Sequence, residues 1–118
     1  MILIIDDDSA VRSSLSFMLK RAGYEAQTVP GPREAMEVVR SVAPDLILMD
    51  VKMPRMDGLE ATHIIRSYSK EIPIIALTAY AFETDKELAL EMGCNDFVTK
   101  PVSERTLRKA LDKYSTIV

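Results

Sequence analysis

Leu46-Ile47-Leu48-Met49-Asp50 is a run of four apolar residues closed by a single acid. A strand with one wet face alternates apolar and polar residues; an unbroken run suits a strand covered by helices on both faces, as in a parallel sheet. Ile2-Leu3-Ile4-Ile5 and Ile74-Ile75-Ala76-Leu77 repeat the pattern, so three central strands are expected. Ala26-Gln27-Thr28-Val29 is half polar and Phe97-Val98 is very short, which places these two at or near the edges.

The segments between carry helical periodicity. Val11, Leu15, Met18 and Leu19 form one apolar face that stops at Arg21-Ala22-Gly23, a helix end with a glycine cap. A second helix opens at Gly31-Pro32, buries Ala35, Met36 and Val39, and ends before Pro44. Ala61, Ile64, Ile65 and Tyr68 make the third stripe. Thr84 and Glu87 have capping-box spacing, so a fourth helix starts there, turns Leu88 and Met92 inward and stops at Gly93. Ser103 caps a fifth helix with the stripe Leu107, Ala110, Leu111 and Tyr114. Strand and helix alternate five times, which predicts an α/β fold: a flavodoxin-like (βα)₅ doubly wound parallel sheet of order 2-1-3-4-5. Residues 1–118 are expected to be one domain, with nothing left over for an output domain.

A chain of 118 residues buries enough surface for a core without staples. The hydrophobic share of 47% and charged share of 28% are those of a globular protein, and the longest apolar runs fall far short of a membrane span. Met1 to Ile5 run into Asp6 without a basic start or cleavage site, so a cytoplasmic location is expected. Cys94 is the only cysteine, which excludes an internal disulfide and a multi-thiolate metal site. A net charge of −3 with no long Lys/Arg run argues against direct nucleic-acid binding.

The polar residues that look out of place each follow a strand: Asp6 and Asp7 the first, Asp50 the third, Thr78 the fourth and Lys100 the fifth. In an open parallel sheet these points share one edge, where ligands bind. Three carboxylates brought together there repel unless a cation intervenes. Oxygen ligands with open positions favour Mg²⁺ or Mn²⁺ over zinc. Read alone, Asp6-Asp7-Asp8 also fits an acidic helix start, which explains Asp8 better than Asp6 or Asp7.

Ile5-Asp6-Asp7, Leu48-Met49-Asp50 with Met53-Pro54 and Asp57-Gly58, Leu77-Thr78-Ala79 and Thr99-Lys100-Pro101 together resemble the receiver domains of two-component response regulators. The resemblance implies that Asp50 accepts a phosphoryl group from a histidine kinase or histidine phosphotransfer domain. It implies that Asp7, Asp50 and the Lys52 backbone carbonyl bind Mg²⁺, with Asp6 supporting the metal through water. It further implies that Thr78 and Lys100 contact the phosphoryl oxygens, that the Lys100-Pro101 bond is cis, and that Lys52 and Tyr80 tune the lifetime of the phosphoryl group. Phosphorylation would be transmitted by Thr78 and Phe97 to the surface of the fourth helix, fifth strand and fifth helix, where a partner or second copy binds. The implied role is a signalling module, not an enzyme with turnover of an external substrate.

Phe97 stands where this family often has tyrosine, which keeps a ring but removes a hydroxyl; plain core packing is its other reading. His63 reads as a solvated helix residue. Residues 45–50 resemble receivers attached to transcription activators, and Val51 onward resembles those of hybrid histidine kinases, a mixture that a mosaic or engineered chain would also show. A flavodoxin-like cofactor binder has the same topology, but three aspartates in the first loop would repel a mononucleotide phosphate. An aspartyl-phosphate hydrolase would carry an acid two residues after its nucleophile, where this chain has Lys52. A degenerate receiver that only binds partners would be expected to lack Asp50, Lys100 or the acidic pair, and all are present.

Overall fold

The computed structural model describes residues 1–51, 57–78, 87, 89–91 and 93–114, with backbone alone for residues 32, 51 and 57–61. Five strands, β1 (Ile2–Ile5), β2 (Ala26–Val29), β3 (Leu46–Val51), β4 (Ile74–Thr78) and β5 (Asp96–Thr99), form one parallel sheet in the order β2-β1-β3-β4-β5. The helices with described ends are α1 (Ser9–Arg21), α2 (Pro32–Val42), α3 (Asp57–Tyr68) and α4 (Glu104–Asp112), the last being the fifth one predicted. Of the fourth predicted helix, residues 87 and 89–91 are described and helical. Its Thr84 cap and the side chains of Leu88 and Met92 lie outside the described residues.

The unbroken apolar runs have the predicted cause. Side chains alternate across a strand, so each central run feeds two cores. Leu3, Ile5, Ile47, Met49, Ile74 and Ala76 pack with Ala35, Val38 and Val39 of α2 and Ile65 of α3. Ile2, Ile4, Leu46, Leu48, Ile75 and Leu77 pack on the other face with Leu15 and Leu19 of α1 and Leu107, Ala110 and Leu111 of α4. Helices therefore cover both faces, as the doubly wound reading requires.

The helix ends follow local chemistry. Asp8 caps α1, its carboxylate accepting from the backbone N–H of Ala10 at 2.9 Å. At the other end Gly23 sits at φ 93°, letting Tyr24 N donate to Leu19 O at 3.0 Å and Gly23 N to Lys20 O at 3.1 Å. Gly93, at φ 113°, closes the fourth helical segment in the same way: Cys94 N donates to Ala89 O and Gly93 N to Leu90 O. Ser103 caps α4 through the N–H of Thr106 at 3.1 Å.

Three expectations need correction. Asp50 and Thr78 lie within their strands, Asp50 as the fifth of six residues of β3 and Thr78 as the last of β4. In α2, Val38 is buried as well, whereas Met36 is only partly so. In α3 the inward stripe is rotated: Thr62 and Ile65 are fully buried, while Ile64 and Tyr68 are 48% and 56% exposed. The reason is that polar residues with partners took the inward face. The Thr62 hydroxyl meets the Cys94 thiol at 3.7 Å, and Arg66 is held by carbonyl oxygens. Among the described residues no helix is long and apolar enough to cross a membrane.

Candidate functional site

The strand ends bring the predicted polar residues together. The β1–β3 register pairs Ile5 with Met49, so Asp6 and Asp50 are the next residues along two adjacent strands. One carboxylate oxygen from each of Asp6, Asp7 and Asp50 lies within 4.8 Å of the others. Asp6 is 2% exposed and Asp50 9%, whereas Asp7 is open to solvent. The first loop holds Asp6 in place: its Oδ1 accepts from Asp8 N at 2.9 Å, and its backbone oxygen accepts from the Arg12 guanidinium at 2.7 Å.

Lys100 reaches the same point from the end of β5. Its Nζ donates to Asp50 Oδ1 at 2.5 Å and to Asp6 Oδ2 at 3.2 Å. Its backbone N–H donates to Thr78 O at 2.6 Å, which ties this lysine to the last residue of β4. Thr78 is 6% exposed. The Lys100-Pro101 bond is cis, as the resemblance implied.

The charges at this edge oppose one another. Burial raises the Asp50 pKa above the ordinary carboxylate value, Lys100 pulls it back, and Asp6 and Asp7 push it up again. For Lys100, burial favours the neutral amine, but its bonds to Asp50 and Asp6 outweigh that and hold the pKa above normal. Among the described residues, three carboxylates meet one ammonium here, which leaves a remainder of negative charge in a small volume. That remainder, and a set of donors consisting only of oxygen, fit a hard divalent cation.

A model of the response regulator receiver domain matches residues 2–112. The chain belongs to that family. This receiver is 39% identical over 104 residues to the alkaline phosphatase synthesis transcriptional regulatory protein PhoP of Bacillus subtilis (strain 168), covering 88% of the chain and 43% of PhoP. It is 40% identical over 119 residues to the sensor protein GacS of Pseudomonas syringae pv. syringae, covering 97% of the chain and 13% of GacS. The chain thus spans less than half of either relative. It resembles a transcriptional regulator and a sensor to nearly the same degree. The solved structure of Vibrio cholerae chemotaxis protein CheY4 is similar in fold, with a TM-score of 0.89, 33% identity and 96% coverage of both chains.

Within the receiver, Asp6, Asp7, Asp50, Thr78 and Lys100 meet at one edge, as the sequence implied. Phe97 pairs with Ala76 in the β4–β5 register and packs, partly buried, against the core that α2 and α3 cover. Lys52 and Tyr80 lie outside the described residues. His63 is exposed and Cys94 is buried, each as a plain structural reading expects. Two contacts went unforeseen. Arg12 bracing the Asp6 backbone has no sequence signal beyond being a cation one turn into a helix. The pairing of Lys100 with Asp6 as well as Asp50 depends on the twist of three strands, which residue order does not encode.

Proposed function

We propose that this receiver takes a phosphoryl group from the phosphohistidine of a histidine kinase or histidine phosphotransfer domain onto Asp50, in the cytoplasm and with Mg²⁺ or Mn²⁺ bound beside it. The observation that carries the reading is the convergence of Asp6, Asp7, Asp50 and Lys100 at the carboxyl edge of the sheet. A carboxylate oxygen of Asp50 bonds to phosphorus while the P–N bond breaks, and the bonding pair leaves on the imidazole nitrogen. Such a transfer needs little covalent help; it needs alignment and charge neutralisation at the phosphoryl oxygens. The Lys100 ammonium, already on Asp50, has only to turn to one of those oxygens, and the Thr78 hydroxyl engages another. Asp7, Asp50 and the Lys52 carbonyl would hold the cation, with Asp6 in support, and the cation would supply neutralisation of charge on the transferring group. Lys52 and Tyr80 control the approach of water and so the lifetime of the adduct.

Incubation with acetyl phosphate and Mg²⁺, read by intact mass, tests the reading directly. One phosphoryl adduct is expected, and a chain that stays unmodified at saturating donor overturns it. Metal binding is tested separately by calorimetry. A cation at one hundred times its dissociation constant stabilises the fold by about 2.7 kcal/mol through mass action. Asp7→Asn, by removing one of three repelling charges, should melt higher than the parent without metal and lose most of the response to Mg²⁺. An equal response in both proteins would remove Asp7 from the ligand set.

The output follows from Thr78 and Phe97. Drawing the Thr78 hydroxyl toward a phosphoryl oxygen shifts its loop and opens space that the Phe97 ring, with no hydroxyl to satisfy, fills at no polar cost. Two pre-existing arrangements then exchange populations according to their affinity for phosphate. The altered surface comprises the fourth helical segment, β5 and α4, and receives a partner or a second copy. Thr78→Ala and Phe97→Ala should still accept the phosphate mimic beryllofluoride but show much smaller amide shifts over α4. Full shifts in both variants would assign the signal another route.

A further inference from the structure

At the opposite edge of the sheet, Arg66 in the last turn of α3 makes more contacts than a helix-end cation needs. Its Nε donates to Gly93 O at 2.8 Å, one terminal nitrogen donates to Ile72 O at 2.6 Å and Ser69 O at 3.4 Å, and the other donates to Asn95 Oδ1 at 2.5 Å. Asn95 continues the network, its Oδ1 accepting from Ile74 N at 2.9 Å and its own N–H donating to Ile74 O at 2.7 Å. One planar guanidinium thus joins the end of α3, the chain leading into β4, the turn that closes the fourth helical segment, and the approach to β5. Only glycine fits at 93, because a Cβ there would lie 2.7 Å from Arg66 Cγ and the residue holds φ 113°.

We propose that Arg66 and Asn95 form the fixed pivot of the switching surface, holding the turn at 93–95 in place while the Thr78 end responds to phosphate. This rests on the reading given above for Asp50 and Thr78. The two ends of β4 lie about 13 Å apart at the usual rise per residue, so phosphate at one end makes no contact with the clamp at the other. A helix held at its C-terminal end and addressed at its N-terminal end swings; one released at both ends drifts, and its motion no longer reports on phosphate. Lysine cannot replace the arginine, since a single ammonium does not span carbonyls on three segments.

The test is amide exchange and NMR on the full chain, with and without beryllofluoride and Mg²⁺. In the parent, the amides of Ile74, Cys94 and Asn95 should be protected and unmoved by the mimic. In Arg66→Met and Arg66→Lys they should lose on the order of tenfold protection and acquire shifts on adding it. Asn95→Ala, at an exposed position, removes one acceptor of the guanidinium but also the acceptor of Ile74 N, so it is read at the Cys94 amide, where it should do the same more weakly; it covers the case that the Arg66 variants fail to fold. Unchanged protection and unmoved amides in Asn95→Ala and in either Arg66 variant would overturn the proposal. A parent that responds to the mimic nowhere would overturn the phosphoacceptor reading of Asp50 and the pivot with it, while the exchange data would still show whether the clamp exists.

Discussion

With acetyl phosphate and Mg²⁺, Asp50→Asn is expected to gain no phosphoryl group, and without metal it should melt at or above the temperature of the parent. The first half follows from nucleophilicity. An amide offers phosphorus no anionic oxygen, and Asp6, the other described carboxylate on Lys100, is more deeply buried than Asp50 and already accepts from Asp8 N. The second half follows from the pKa. Burial first, and Asp6 and Asp7 after it, raise the Asp50 carboxyl, so the folded chain disfavours the charge that this residue carries at neutral pH. A neutral residue of the same shape removes that cost, while Lys100 keeps its bond to Asp6. Intact mass and a thermal melt decide both halves. An adduct of parental yield in the variant would move the acceptor elsewhere.

Lys100→Met should act in the opposite direction on stability. It leaves Asp6 and Asp50, whose side chains are 1% and 7% exposed, without their shared cation. Breaking a fully buried pair costs about 3–5 kcal/mol; the lysine is 23% exposed and water can enter, so a loss of about 1–3 kcal/mol is expected at neutral pH. The pH dependence has a definite sign. A carboxyl with a raised folded pKa binds protons more readily in the folded state, so stability falls as pH rises above 3.8 through the folded value. Removing Lys100, which pulls that value down, widens the window. The gap between variant and parent should therefore be greatest near neutrality and close as pH falls toward 3.8. Lys100 itself has a raised pKa, so its contribution persists up to pH 10.5 and disappears only above it. Mg²⁺ should restore more stability to the variant than to the parent, since the uncompensated charge is larger. Denaturant melts from the acid range to above pH 10.5, with Mg²⁺ added near neutrality, check these points, and a gap independent of pH would show that the lysine does not act through these carboxylates.

The sheet was legible because its signal is local. Three apolar runs without alternation require cover on both faces, and glycines at 23 and 93 occupy the left-handed positions that end helices. The acidic edge was legible too, since strand ends in a parallel sheet converge wherever the order of strands is known. The third helix was not. A hydrophobic stripe through Ile64 and Tyr68 outweighed Thr62 and Arg66 on composition, yet the latter pair found partners 27 to 32 residues away, at Gly93 and Cys94. Polar residues turn inward when such partners exist, and nothing in a residue's own neighbourhood announces them. Arg66 in particular reads as one more cation near a helix end, a placement that the helix dipole already explains.

Cys94 is the middle residue of the turn at 93–95, 5% exposed, with its sulfur against the Thr62 hydroxyl and burial raising its thiol pKa. As the sole sulfhydryl in the chain, it can serve as a built-in clock. A thiolate forms readily only once the turn lifts from α3, so a thiol reagent in excess labels each molecule once, at the frequency of that opening. The kinetics of labelling then time the loosening of one end of the sheet in the unmodified protein, with no reporter group added.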